Sequence, residues 1–260
     1  MSFIQVERDG GVLLITLNRP EVLNAFNADM ARQMQEALGA ASADRTVRAL
    51  LLTGAGRAFC AGQDLASVPL DGAVQPDLGA IVRSQYNPIV KALVAMPKPV
   101  VCAVNGVAAG AGANLALACD IVIASSGASF IQSFTKIGLV PDSGGTYLLP
   151  RLVGPARAAG LALLGEALTA QQAKEWGLVW NVYEPEGLMP EALALARRLA
   201  RAPTKGLALT KRALASSWTN DLDTQLELEA SLQGEAGRTR DFLEGVRAFK
   251  EKREADFVGE

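Results

Sequence analysis

Two short stretches of small residues hold the clearest chemical potential in the chain: Cys60-Ala61-Gly62-Gln63-Asp64 and Gly110-Ala111-Gly112. Each reads as a turn that leads into a helix start, where the first backbone N–H groups have no partner within the helix. Such a terminus favours negative charge, and glycine lets a ligand approach the backbone closely. Two N–H donors from different turns, aimed at one oxygen, make an oxyanion hole, and a thioester oxygen becoming an enolate oxygen is a natural occupant. The same small residues would also serve close helix–sheet packing, and neither stretch alone decides between the two uses. The chain contains no histidine. That removes Ser-His-Asp and Cys-His triads and every histidine-ligated metal site. Proton transfer therefore falls to a carboxylate, a tyrosine, a lysine, a cysteine or water.

The elements that must hold these turns are legible from patterning. Phe3–Arg8 and Val12–Leu17 alternate around Asp9-Gly10-Gly11, as in a hairpin. Asn27 is a good N-cap for a helix of about 28–41. Val47–Thr53 and Pro99–Val104 are apolar runs suited to buried strands. Asp64 is placed to cap a short helix. Residues 67–78 read as a loop, and a helix of about 78–95 ends before Pro97 and Pro99. The second turn is expected to open a helix whose regular pattern begins at Asn114. Ile121–Ala124 and Ser129–Ile131 read as short strands, and Pro141–Thr146 as another turn into a helix ending near Pro150. Further helices are expected over 155–164 and 170–176, and a last strand over 179–183. From Glu186 on, spans of about 186–202, 204–216, 221–234 and 239–255 read as helical. An α/β core of residues 1–200 and a helical region of residues 201–260 follow, and an amphipathic appendage of this kind can lie on a neighbouring subunit.

Composition narrows the function classes. With 260 residues, 50% of them hydrophobic, the chain can bury a full core. A net charge of −2 without a basic stripe makes nucleic acid an unsuitable partner. No apolar run reaches the roughly 18 residues that a membrane span needs, and Met1–Arg8 lacks the layout of a secretory signal. Cys60, Cys102 and Cys119 are three in number, without metal-type spacing. They suit reduced thiols in a cytoplasmic protein.

Four segments together resemble the crotonase, or enoyl-CoA hydratase/isomerase, family: LTGAGRAFCAGQDL (52–65), KPVVCAVNGVAAGAGANLALACDIVIA (98–124), KIGLVPDSGGTYLLPRLVG (136–154) and EGVRAFKEKREADF (244–257). Their order and spacing cover essentially the whole chain. The resemblance implies an α/β spiral of ββα units with a C-terminal α-helical trimerisation region, and an acyl-CoA thioester as substrate. It implies no metal and no separate cofactor, since coenzyme A arrives with the substrate. The family's two oxyanion donors map to the N–H groups of Gln63 and Ala111, the latter between Gly110 and Gly112. Leu23, Ala25, Ala61, Gly62, Asp64 and Leu65 would line the coenzyme A arm. Phe249 and Lys252 resemble positions that reach coenzyme A from a neighbouring subunit in a homotrimer or dimer of trimers.

The departures from the family pattern are as informative. A hydratase of the family places one glutamate where this chain has Asn114 and another where it has Phe134. Without them, classical hydration loses its acid and its base. Asp142 stands where some isomerase and dehalogenase members hold an essential aspartate, and on residue type alone it is equally suited to capping the following helix. Tyr86 and Tyr147 fit core or pocket wall, Asp120 a structural role, and Trp176 and Trp180 packing. Lys136 and Arg151 fit either solvated positions or partners of coenzyme A phosphates. The matches in NGVAAGAGA, VPDSGGTYLLPR and the C-terminal helices lie nearest to members that isomerise 1,2-epoxyphenylacetyl-CoA to an oxepin thioester. A Δ3-to-Δ2 enoyl shift would use the same apparatus. Another crotonase-family thioester enzyme and a non-catalytic thioester-binding scaffold are the alternatives. A dinucleotide-binding enzyme is disfavoured, because Gly106, Gly110 and Gly112 do not give the GxGxxG spacing.

Overall fold

A computed structural model describes residues 2–67 and 76–260. Most of the loop expected between 67 and 78 lies outside the described residues. The strands are β1 (Ile4–Asp9), β2 (Val12–Leu17), β3 (Ala49–Gly54), β4 (Ala58–Cys60), β5 (Val100–Val104), β6 (Val107–Ala109), β7 (Ile121–Ser125), β8 (Ser129–Ile131), β9 (Ala167–Thr169) and β10 (Asn181–Tyr183). The helices are α1 (Ala28–Ala43), α2 (Leu78–Ile81), α3 (Asn87–Ala95), α4 (Ala111–Leu117), α5 (Gly145–Val153), α6 (Pro155–Leu164), α7 (Ala170–Glu175), α8 (Pro185–Ala200), α9 (Thr204–Ser216), α10 (Leu222–Ala236) and α11 (Arg240–Glu251).

The spiral follows from how consecutive strands divide between two sheets. One sheet runs in the order β1-β2-β3-β5-β7-β10 and the other β4-β6-β8-β9. Each turn of the chain therefore lays one strand in the large sheet and the next in the small one, then returns through helix. Beyond the β1–β2 hairpin the large sheet is parallel throughout, as helical returns require. Its central strands β3 and β5 are apolar without alternation because both faces are covered. Leu50, Leu52, Cys102 and Val104 face a core shared with α1, α3 and α4, while Leu51, Val101, Ala103 and Ile123 face Leu188, Ala192 and Ala196 of α8.

Several sequence boundaries need correction. The stretch expected as one helix over 78–95 is α2, a π-helical turn at Val82–Tyr86, and α3. Pro88 cannot donate, and a wide turn in which Asn87 N–H reaches Val82 O absorbs the break. Strands β4, β6 and β9 were not anticipated: each is three residues long, and β4 and β6 lie in runs of small residues that read as turns. Helix α4 begins at Ala111, before the regular pattern, because Gly110, at φ +53°, breaks the strand there. Helix α5 continues past Pro150 to Val153 and stops at Gly154. Helix α11 ends at Glu251 rather than near 255, closed by Lys252 in the left-handed region. Trp176 packs on the core, whereas Trp180 is 75% exposed and contributes no packing of that kind.

Two cations fasten the C-terminal helices to the spiral. Arg48 Nε donates to Thr204 Oγ1 at 3.0 Å, Nη1 to Phe257 O at 2.7 Å and Nη2 to Ala202 O at 2.7 Å. Lys211 Nζ donates at 2.8 Å both to Leu93 O and to Asp120 Oδ2, which also accepts from Val100 N. Asp120 thus has the structural role expected of it. An Arg48→Met variant keeps most of the apolar stem but loses all three donors. We expect limited proteolysis of the intact variant to cut within residues 201–260 faster than in the parent, with the spiral still resistant. An unchanged digestion pattern would show that Arg48 is not a fastener.

Candidate active site

The two small-residue turns are held against each other. The segment after the first 3-10 turn takes left-handed backbone at Leu23 and Asn24, with φ of 54° and 56°. Asn24 is fully buried. Its Nδ2 donates to Ala55 O and Ala58 O, both at 2.9 Å, and its Oδ1 accepts from Arg19 N. Leu23 O then accepts from Ala61 N, and Phe26 bridges Gln63: Phe26 N donates to Gly62 O at 2.7 Å and Asp64 N to Phe26 O at 2.9 Å. In a parallel bridge the middle residue's own N–H points away from the partner strand. Gln63 N–H is turned in that way, and among the described residues no acceptor meets it. Asp64 accepts from Ala66 N at 3.2 Å and from Arg19 Nη2 at 3.0 Å, so it is a cap and a brace for the turn.

The second turn is equally constrained. Gly110 N donates to Ile131 O at 2.8 Å, and α4 opens at Ala111 with no side chain capping it. Its leading N–H groups therefore remain available. The turns meet without side chains between them. A Cβ on Gly112 would lie 2.4 Å from Cys60 O. One on Gly62 would lie 2.9 Å from Ala109 O and 3.4 Å from Ala111 N. The turns that carry Gln63 and Ala111 thus pack directly on one another.

Asn114 ties the loop that carries Asp142 to α4. The Asn114 amide is completely buried: its Nδ2 donates to Asp142 O and its Oδ1 accepts from Gln132 Nε2, both at 2.8 Å. Gly145 N also donates to Asp142 O, at 2.8 Å. The N-cap of α5 is Gly144, without a side-chain bond, so Asp142 does not cap the helix. That possible role is excluded: the carboxylate accepts instead from Ser143 Oγ at 2.8 Å. Burial pushes the Asp142 carboxyl up, and the Ser143 hydroxyl opposes that rise. The rings of Phe134 and the Ser133 hydroxyl cover Gly110.

Tyr86 was anticipated only as core or pocket wall. The π-helical turn delivers it buried beside Phe26, and its hydroxyl donates to Gln63 Oε1. Burial, then the neighbouring Cys60, Asp142 and Asp64, raises the phenol well above its ordinary value, so it stays a donor. Cys60 is a buried thiol pushed up to about 12, with Sγ donating to Asn24 O at 3.2 Å, which makes it an inert wall. Other expected residues divide. Ala25 is buried and its carbonyl accepts from Arg19 Nη1, Leu23 and Ala61 are half-buried in the paired segments, and Leu65 is 52% exposed. Phe249 and Lys252 are not brought to the site by their own chain. Phe249 is 85% exposed, beside a groove lined with Pro203, Phe242 and Phe257. Arg151 stacks on Tyr147, its guanidinium 3.8 Å from the ring centroid.

The architecture is a spiral of two sheets with two small-residue turns packed together and a half-buried carboxylate, Asp142, on the loop before α5, and comparison with known proteins gives its family. Residues 7–260 match the enoyl-CoA hydratase/isomerase family. The chain belongs to that family. It is 56% identical over 260 residues to the 1,2-epoxyphenylacetyl-CoA isomerase of Escherichia coli, covering 100% of this chain and 99% of the relative. It is 42% identical over 258 residues to the trans-2-decenoyl-[acyl-carrier-protein] isomerase of Streptococcus mutans, covering 96% of each. The crystal structure of an enoyl-CoA hydratase from Bacillus anthracis superimposes with a TM-score of 0.91 at 34% identity, covering all of both chains.

Two substitutions test this geometry. Gly112→Ala drives a methyl group into the Cys60 carbonyl, backbone against backbone, so we expect a strong fall in melting temperature or no folded protein. A parent-like melt would disprove the close approach. Asp142→Asn keeps the bond from Ser143 and removes a carboxylate whose folded-state titration lies above its unfolded one. Such a group binds more protons folded than unfolded, so it lowers stability as pH rises through the folded value. The variant should therefore melt no lower than the parent at neutral pH, with any advantage vanishing as the pH is lowered below the carboxylate range. A clear loss of stability at neutral pH would show instead that the ionised carboxylate stabilises the folded state.

Proposed function

We propose that the protein is an isomerase of acyl-CoA thioesters that converts 1,2-epoxyphenylacetyl-CoA to oxepin-CoA, with a Δ3-to-Δ2 enoyl shift as a related activity. The observation that carries this reading is the half-buried carboxylate of Asp142, on a loop that Asn114 ties to the helix opening at Ala111, with Asn114 and Phe134 where hydration would need its acid and base. The thioester oxygen sits between the two N–H groups. As negative charge gathers on it, two fixed dipoles in a water-poor space stabilise that charge with little reorganisation. Asp142 takes a proton from the carbon next to the thioester, giving an enolate. For the double-bond shift the same carboxyl returns the proton two carbons further on. For the epoxide, the carbon–carbon bond shared by the three- and six-membered rings breaks, so the oxygen becomes the seventh ring member, and Asp142 returns the proton taken from the carbon next to the thioester to a ring carbon, leaving a double bond conjugated with the thioester. The likeness to named isomerases, at 56% and 42% identity, supports this choice over a hydratase.

Coenzyme A is part of the substrate, and Leu23, Ala25, Ala61 and Leu65 line its arm. Assembly completes the site: Phe249 and Lys252 reach it from a neighbouring subunit of a trimer or dimer of trimers. The exposed apolar side chains of the C-terminal helices, among them Leu226, Phe242, Leu243 and Phe249, suit such packing. The protein works in the cytoplasm.

Product analysis by mass spectrometry tests the chemistry. Asp142→Asn should lose roughly 10²–10⁴-fold in turnover of both 1,2-epoxyphenylacetyl-CoA and a Δ3-enoyl-CoA, the range of a positioned acid–base group, while still binding thioester. Full turnover on both would exclude Asp142 as the base. Crotonyl-CoA should be hydrated poorly or not at all, and a rate rivalling a dedicated hydratase would overturn the roles given to Asn114 and Phe134. Light scattering that found a stable, active monomer would refute the assembly.

A further inference from the structure

Ser143 holds a conformation that serine disfavours. Its φ is +51°, one of four positive values at non-glycine residues in the described chain, and Gly144 follows at +82°. Glycine would occupy residue 143 without that strain, so the backbone alone gives no reason for serine. Nor is Ser143 needed to anchor the loop. The Asp142 carbonyl already has two donors, Asn114 Nδ2 and Gly145 N, each at 2.8 Å. What serine adds is its hydroxyl. The residue is 1% exposed, and Oγ donates to Asp142 Oδ1 at 2.8 Å. A donor shielded from water and fixed on a strained backbone holds one carboxylate oxygen and leaves Oδ2 as the free basic atom.

We propose that Ser143 is a positioning residue for the isomerisation: its hydroxyl locks the Asp142 carboxylate so that Oδ2 faces the reacting carbon. This rests on the reading of Asp142 as the base. The left-handed strain is the cost of carrying a hydroxyl at a position whose backbone suits glycine.

The test compares Ser143→Gly and Ser143→Ala. Both remove the donor, but glycine relieves the strain and alanine keeps it. Conversion of a Δ3-enoyl-CoA to its conjugated isomer is followed across pH, beside thermal unfolding and Asp142→Asn. With its opposing donor gone, burial raises the carboxyl further, so the acid limb of kcat/KM moves to higher pH. We expect both variants to show that shift by about one pH unit and a fall in kcat of about tenfold, the scale of one hydrogen bond to a charged group, with KM little changed. The glycine variant should melt at or above the parent. A Ser143→Gly variant with parental kcat and acid limb, whatever its melting temperature, overturns the proposal. If Asp142→Asn is meanwhile inactive, the reading of Asp142 stands and only the role of Ser143 falls. Full turnover by Asp142→Asn would remove the base itself, and with it this inference.

Discussion

Everything in the site depends on two stretches of main chain coming closer than side chains allow. Cys60 O occupies the place a Cβ on residue 112 would need, and Ala109 O crowds that of residue 62. Because the contact is backbone to backbone, its geometry does not depend on rotamers. The strands that feed it, β4 and β6, pair in parallel in the small sheet, while β3 and β5 before them pair in the large one. The spiral repeats this step, so both turns leave the sheets on the same side. The fold and the close approach of the two turns are in this sense one construction.

Around that rigid pair the electrostatics are sparse. Buried polar side chains here work in pairs and chains: Asn24 on Ala55 and Ala58, Asn114 between Gln132 and Asp142, Tyr86 on Gln63. Each satisfies a group that would otherwise be costly to bury. Asp142 has Ser143 as its side-chain donor, and no cation opposes its burial. A carboxylate raised in this way is a better proton acceptor for carbon chemistry than one paired with arginine, as Asp64 is.

The sequence made the large sheet, α1 with its Asn27 cap and the start of most helices legible, because each rests on local patterning. Asn27 Oδ1 does accept from Met30 N. The two small-residue turns were legible because small residues at a helix start are a local signal, and the family resemblance pointed within them to Gln63 and Ala111. What escaped depends on topology. No spacing brings residue 86 to residue 63; a π-helical turn and the packing of α3 do. Ser143 escaped because its φ, not its identity, marks it out. Asp142 was ambiguous between cap and base because both uses want an aspartate before a helix, and only the direction of the side chain distinguishes them.

The doubly engaged amide of Asn114 limits how this enzyme can change. Both ends of the amide are committed, and a Cβ on Gly145 would lie only 2.3 Å from Nδ2. A glutamate there, as hydratases of the family carry, would set a carboxylate oxygen against the Asp142 carbonyl and need length the space lacks. The loop over 142–145 would have to shift at the same time, and with it Asp142. Passage from this chemistry to water addition is therefore not a one-residue path. A lineage carrying this asparagine is held to its reaction by the coupling of two loops, and an engineer would have to redesign the loop over 142–145 together with residue 114.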